Sequence, residues 1–278
     1  MIVHLVDGTY ELFRHFYGIR RFRKTDPPFG AVSGVLSAVV KMMEDGATHL
    51  GVATDHVIES FRNGLWAEYK TGAGIEPVLR AQFQPLEESL LAMGVTVWPM
   101  VDLEADDALA SAAQLAAQDE RVEKVCIWTP DKDLAQCVVA DRVVQVDGRR
   151  GVIRDAEGVR AKFGVAPEFI PDYLALVGDA ADGYPGIPGY GPKTAASVIN
   201  LHGPIEKFPH DLLKDQRKNA LLFKKLATLK TDAPLFDDVE ELRWHGPLAS
   251  FHSVAEQIGN ARLETRVKKL AKGNRSAK

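Results

Sequence analysis

Three short apolar runs, each closed by an aspartate, constrain this chain more than any other feature. Residues 2–6 (Ile2-Val3-His4-Leu5-Val6) end at Asp7. Leu50-Gly51-Val52-Ala53-Thr54 ends at Asp55, and Val125-Cys126-Ile127-Trp128-Thr129 ends at Pro130-Asp131-Lys132-Asp133. Runs of this length without alternation suit strands buried on both faces. Between them lie helical patterns: Gly30 to Met43, with Val32, Val35, Leu36, Val39 and Val40 in helical spacing, and residues 82–93, followed by the strand-like Val95-Thr96-Val97-Trp98. Strand, helix and strand in alternation predict an α/β fold, a mostly parallel sheet flanked by helices. Ligands on such sheets bind beyond the carboxyl ends of the strands, so Asp7, Asp55 and Asp131 are expected on one edge.

A fourth acidic stretch, Glu104-Ala105-Asp106-Asp107, runs straight into an Ala-rich helical sequence. Acids at a helix N-terminus answer unpaired N–H groups and the macrodipole, but three exceed what capping needs. Glu104 and Asp107 share one helix face and repel unless a cation lies between them. Asp133 adds to the cluster. Two more acids stand in Gly178-Asp179-Ala180-Ala181-Asp182-Gly183, placed to serve a second metal. The eight histidines show no ligand spacing, so zinc is not indicated; oxygen ligands alone point to Mg²⁺ or Mn²⁺.

Just downstream, Gly186-Ile187-Pro188-Gly189-Tyr190-Gly191-Pro192-Lys193-Thr194 resembles a Walker A loop with one residue too many. The extra Pro192 has no N–H for a phosphate, so no nucleotide cofactor is expected. Proline suits the first turn of a helix, and a glycine hairpin feeding a helix N-terminus presents N–H groups to a phosphate. Such a hairpin grips a DNA backbone without reading its sequence; Gly186, Gly189, Gly191, Lys193 and Thr194 are its candidate DNA-binding residues. Phe61-Arg62 and Glu68-Tyr69-Lys70 offer two cations for phosphate and one ring for base stacking, in a segment whose glycines suggest a mobile loop. Leu5-Val6-Asp7-Gly8-Thr9 is not a dehalogenase-type phosphatase motif, because the nucleophile's position holds Leu5.

Composition sets the outer bounds. A chain of 278 residues, 46% hydrophobic and 26% charged, carries an ordinary globular balance. Apolar runs are strand-sized, so no membrane span is expected. The N-terminus has no basic region before its apolar run, so no signal peptide is expected either. Two cysteines, Cys126 and Cys137, make no disulfide framework, and a cytoplasmic location follows as the expectation. The net charge of −4 conceals its distribution: with nine of the 38 acids in one metal cluster, 29 remain against 34 Lys and Arg. Residues 143–153 read as a hairpin. From Asp155, a plausible N-cap, to about Lys230 only helices and turns are legible, with one helix ending near Phe163-Gly164 and another from Pro167 to Val177 broken at Pro171. Thr231 to Trp244 is expected to return to the sheet as a strand, and the basic Arg266–Lys278 to be a frayed tail.

Taken in order, Val6-Asp7-Gly8, Asp55, Phe61-Arg62, Tyr69-Lys70, Glu104 to Asp107, Thr129 to Asp133, Asp179 with Asp182, and Gly186 to Ala195 resemble the 5′-nuclease superfamily. The likeness is greatest to the 5′→3′ exonuclease domain of bacterial DNA polymerase I and its stand-alone relatives, over roughly residues 1–245. The resemblance implies a PIN-like catalytic domain (1–154) with a loop or arch near 62–82, a helix–three-turn–helix DNA-binding domain (155–230), and a return segment and tail (231–278). It implies hydrolysis of DNA at a 5′ end, flap or nick. Asp7, Asp55, Glu104 and Asp106 would serve one divalent ion and Asp131, Asp133, Asp179 and Asp182 the other, with Asp106 or Asp107 near both. Arg62 and Lys70 would meet phosphate, Tyr69 the terminal nucleotide, and the carbonyls of Gly186, Ile187, Gly189 and Gly191 a K⁺ ion. Three departures stand out. Ala181 and Gly183 replace the family's usual Ser and Asn, Thr71-Gly72-Ala73-Gly74 lacks the usual Arg, and no polymerase or proofreading domain is expected. A PIN-type endoribonuclease, which shares the acids, and a non-catalytic structure-specific DNA-binding protein are the alternatives.

Overall fold

The computed structural model describes residues 1–20 and 27–276, with side chains to 273. The strands are β1 (Ile2–Asp7), β2 (His49–Asp55), β3 (Thr96–Met100), β4 (Lys124–Trp128), β5 (Val143–Asp147) and β6 (Val152–Arg154). Among the described residues they form one sheet in the order β3-β2-β1-β4-β5-β6, parallel except for the β5–β6 hairpin. Val6 pairs with Val52 on one side and Trp128 on the other, so the three Asp-closed runs are neighbours. Strand order reverses between β1 and β4, a switch point where a crevice opens beyond the carboxyl ends. The expected edge for Asp7, Asp55 and Asp131 is therefore the center of the sheet's carboxyl side.

The helices in chain order are α1 (Gly8–Arg20), α2 (Gly30–Glu44), α3 (Pro77–Arg80), α4 (Phe83–Ala92), α5 (Ala105–Gln118), α6 (Ala156–Phe163), α7 (Ile170–Val177), α8 (Pro192–His202), α9 (His210–Leu213), α10 (Arg217–Ala227), α11 (Phe251–Gln257) and α12 (Ala261–Ser276). One sheet face packs on α1, α2, α4, α11 and α12 through Val32, Val35, Leu36, Val39, Leu50 and Val52. The other packs on α5 through Leu5, Ala53, Ala108, Leu109 and Ile127. A separate core of Leu174, Leu176, Ile199, Phe223 and Leu226 joins α7, α8 and α10. Asp155 caps α6 by accepting from Gly158 N at 2.8 Å, and Gly164 closes that helix in the left-handed region. No described helix is long and apolar enough to cross a membrane.

Two sequence expectations change. The segment 231–244 returns to the sheet without becoming a strand. It forms a short 3₁₀ turn, Val239–Leu242, and touches β2 through one bridge, His49 to Arg243. Trp244 anchors it, with Nε1 donating to Met93 O at 2.8 Å and N to Thr48 O at 2.9 Å. Nor is the basic C-terminal stretch frayed. α12 buries Leu263 and Val267 in the first core, and Arg266 pairs with Glu44 at 2.8 Å; residues 277–278 lie outside the described residues. Its basic side chains are the outer face of an amphipathic helix. The segment expected as a loop or arch near 62–82 carries a short 3₁₀ turn, Phe61–Gly64, and α3.

A candidate metal center at the carboxyl edge

Each acid is set by an ordinary local device. Asp7 ends β1 and caps α1, accepting from Tyr10 N at 2.8 Å and from Thr129 Oγ1 at 3.0 Å. Asp55 ends β2 and accepts from Ala105 N at 2.8 Å, which ties it to the start of α5. Glu104 is the residue before α5 and forms a reciprocal capping box with Asp107, so those two carboxylates lie together at the helix start, with Asp106 in the same first turn. Asp131 and Asp133 follow β4; the Asp131 carbonyl is held by Gln145 Nε2, itself braced by Arg154 at 2.6 Å. Asp179 and Asp182 sit in the turn after α7, where Asp179 and Tyr184 form a backbone bridge.

Asp133, Asp179 and Asp182 come together. One carboxylate oxygen of each lies within 4.8 Å of the others, and all three residues are buried. Asp133 is 6% exposed, and its Oδ1 has no hydrogen-bond partner. A buried carboxylate oxygen left unpaired is costly, and a cation among three such oxygens removes the cost. Electrostatics point the same way. Burial, then the charges of Asp55 and Asp131, push Asp7 up to about 7 against the lowering pull of its hydrogen bonds. Burial and neighboring acids hold Asp106 and Asp133 well above the usual carboxylate range. Asp55 and Asp182 are also raised, chiefly by burial. The donor set is all oxygen, which fits hard divalent cations.

Two lysines answer this charge. Lys70 Nζ lies 2.8 Å from Glu104 Oε2 and 3.1 Å from Asp182 Oδ1, so it spans the two halves of the acid cluster. Burial alone would lower the Lys70 pKa, but Asp182 and Glu104 raise it well above the normal value. Burial likewise raises Glu104, and Lys70 and Arg62 more than reverse this. Lys132, which sequence reasoning passed over, lies 2.9 Å from Asp179 Oδ2.

Three expected roles do not match the geometry. Arg62 is 1% exposed. Its Nη1 and Nη2 grip Asp107 at 2.7 and 2.8 Å, Nη1 also reaches Glu104 at 3.0 Å, and Nε donates to Leu226 O at 2.8 Å. A guanidinium so enclosed has no free donor face for a phosphate. Asp107 is correspondingly engaged: besides Arg62 it accepts from Lys230 N at 2.8 Å and Glu104 N at 3.0 Å, which places it as a buried brace at the head of α5. Tyr69 is 3% exposed within the helical core, its hydroxyl 3.3 Å from Glu104 Oε2, so its ring is closed to a stacking base. All three follow from pairing 35 or more residues apart, which local sequence does not reveal. Thr129 and Ser60, which donates to Glu104 at 2.6 Å, were missed for the same reason.

The glycine hairpin closes by backbone. Gly178 and Gly186 lie back to back, both at positive φ (86° and 72°), and a Cβ on Gly186 would stand 2.4 Å from Gly178 N. Gly186 is buried here and shapes the hairpin from within. Ile187 N donates to Leu176 O at 2.8 Å, and its side chain enters the helical core. Gly189, Gly191, Lys193 and Thr194 are exposed at the mouth of α8, whose N-cap Gly191 supplies no side-chain acceptor. The two departures near the acids have physical explanations. Ala181 N donates to Asp179 Oδ1 at 3.0 Å, a contact that needs no side chain. Gly183 (φ 84°) packs so closely that a Cβ would stand 2.0 Å from Glu68 O.

An acid-lined switch point and an exposed helix N-terminus in the helical unit together fit a nuclease. Residues 2–164 match the 5′-3′ exonuclease N-terminal resolvase-like domain, and residues 165–250 the 5′-3′ exonuclease C-terminal SAM fold. The chain belongs to the 5′-3′ exonuclease family. It is 35% identical to DNA polymerase I of Pseudomonas aeruginosa over 86% of this chain, and spans 28% of that polymerase's length. It is 29% identical to the 5′-3′ exonuclease of Aquifex aeolicus, over 99% of this chain and 97% of that one. Its fold is shared with the bacteriophage T5 flap endonuclease, solved in a pseudo-enzyme-product complex with DNA and metal ions. The TM-score is 0.62 at 17% identity, covering 98% of each chain.

Proposed function

We propose that the chain hydrolyzes DNA phosphodiester bonds beside a 5′ end, flap or nick, using two Mg²⁺ or Mn²⁺ ions. The observation that carries this is the buried trio Asp133, Asp179 and Asp182 with its unpaired oxygen, beside a second acid set at the ends of β1 and β2 and the start of α5. Asp133, Asp179 and Asp182, with Asp131, would hold one ion; Asp7, Asp55, Glu104 and Asp106 would hold the other. Divalent ions there supply Lewis acidity and neutralize the charge that develops at the phosphate.

The chain's own residues do the positioning. Lys70, between the two acid sets, is placed to meet the scissile phosphate. Gly189, Gly191, Lys193 and Thr194 offer backbone N–H groups, one charge and one hydroxyl to a phosphate farther along the strand. K⁺ bound by hairpin carbonyls of Gly186, Ile187, Gly189 and Gly191 belongs to the same reading, as does a division into 1–154, 155–230 and 231–278. Thr129, Ser60 and Arg62 hold Asp7 and Glu104 in place while the acids repel one another.

The test is cleavage of a 5′-labeled DNA flap, a nicked duplex and a matched RNA flap with Mg²⁺ or Mn²⁺. Asp131→Asn and Asp106→Asn are expected to abolish cleavage while DNA binding survives. Near-normal turnover by both variants would remove the two-ion assignment, and cleavage of RNA alone would make the chain a ribonuclease.

A further inference from the structure

Lys132 stands between two acids of the β4 edge, yet its ammonium turns to a third. Nζ lies 2.9 Å from Asp179 Oδ2, while the side chain remains 35% exposed at the rim of the site. In the same trio, Asp133 Oδ1 is buried and unpaired. The trio is thus met by Lys132 at Asp179 and by Lys70 at Asp182, and left one partner short at Asp133.

These two facts cannot both persist once a dication enters. The three oxygens within 4.8 Å of one another would turn to the ion, and Asp133 Oδ1 would gain its missing partner. Asp179 would then be shared between a dication and an ammonium already in contact with it. Like charges at such a distance repel strongly in a partly buried site, and the partly exposed Lys132 side chain can swing away on its flexible stem. A lysine is suited to the exchange, being a compact charge on a flexible chain. The nearest anion to come would be the substrate backbone.

We propose that Lys132 exchanges partners: it holds Asp179 while the trio carries no cation, and binds a substrate phosphate once a divalent ion is seated. Lys132 is then a substrate-contacting residue opposite Lys70, and ion loading and DNA grip are coupled through one ammonium. This rests on the nuclease reading above.

The test uses the full chain with Lys132→Met, which keeps the stem and removes the charge, and Lys132→Arg, which keeps the charge. Mn²⁺ titration without DNA should show Lys132→Met binding one of its ions severalfold more tightly than wild type, because the competing ammonium is gone. Binding of a nicked duplex is then measured against salt, in Ca²⁺ and in chelator. In Ca²⁺ the slope of log K against log salt should fall by about 0.9 in Lys132→Met, the value for one lost duplex phosphate contact, and stay near wild type in Lys132→Arg. In chelator the Lys132→Met and wild-type slopes should coincide. An unchanged slope in Ca²⁺, an equal drop in both conditions, or Mn²⁺ affinity no tighter than wild type would each overturn the exchange. Asp133→Asn separates the two ideas. If it leaves Mn²⁺ stoichiometry intact, the metal reading itself fails; if it loses an ion while Lys132→Met behaves as wild type, only the role of Lys132 falls.

Discussion

At the residue scale, Arg62 shows what a buried cation does in a crowded acid site. It ties Glu104 and Asp107 at the head of α5 to Leu226 O and Thr228 O at the end of α10. Removing one member of a buried pair strands the other charge and costs about 3–5 kcal/mol. Arg62→Leu is therefore expected to lower the melting temperature by on the order of 10 °C, measured by calorimetry in chelator. A variant melting within a degree or two of the wild type would show that Asp107 is satisfied by its backbone donors alone. The sequence showed that Arg62 and Tyr69 stand near the site, but not that they face inward. Their partners lie 35 to 166 residues away, and exposure is set by that pairing. The strand-end acids were legible because a strand's end is local: five apolar residues and an aspartate suffice to place the carboxylate.

At the element scale, the hairpin between α7 and α8 depends on backbone approach. Gly186 needs positive φ and sits against Gly178 N, and Gly183 sits against Glu68 O. Gly186→Ala is expected to destabilize the chain by more than about 1 kcal/mol and to weaken duplex binding more than it alters metal affinity. Gly183→Asn, which restores the residue common in the family, is expected to destabilize this chain, because the 66–70 segment occupies the space. Trp66 Nε1 donates to Gly183 O at 3.0 Å and Lys70 N to Asp182 O at 2.9 Å. Thermal melting checks both variants; a Gly183→Asn protein as stable as the parent would mean that this segment gives way. The glycine spacing and Pro192 made the hairpin legible. The failed strand at 231–244 did not announce itself, since a single bridge and a tryptophan anchor do the work of a ladder. α12 was misjudged because its charges mask the buried Leu263 and Val267.

For the whole molecule, the acid cluster makes stability depend on pH and on metal together. Asp7 is raised to about 7, and Asp55, Asp106, Asp133 and Asp182 are raised as well. The folded chain keeps protons on these acids that the unfolded chain releases near pH 4, so from about pH 4 to 7 stability falls as pH rises. Without divalent ions the melting temperature is expected to drop across that window, and Mg²⁺ or Mn²⁺ should restore most of the loss at pH 7 by binding the folded state alone. A flat profile in chelator would mean that the carboxylates relax apart. Glu104, whose pKa is lowered, acts in the opposite sense, adding stability above its ordinary range that is lost only at lower pH.

The helical unit leaves the sheet after β6 and comes back at residues 228–230, where Thr228 O accepts from Arg62 and Lys230 N donates to Asp107. It is held at both ends, with Gln136 stitching Ala227 O and Leu229 N to the loop after β4. The hairpin mouth is thereby tied to the acids through one short seam, and under the function proposed above the pair would act as a caliper: where the strand is held would set how many nucleotides away it is cut.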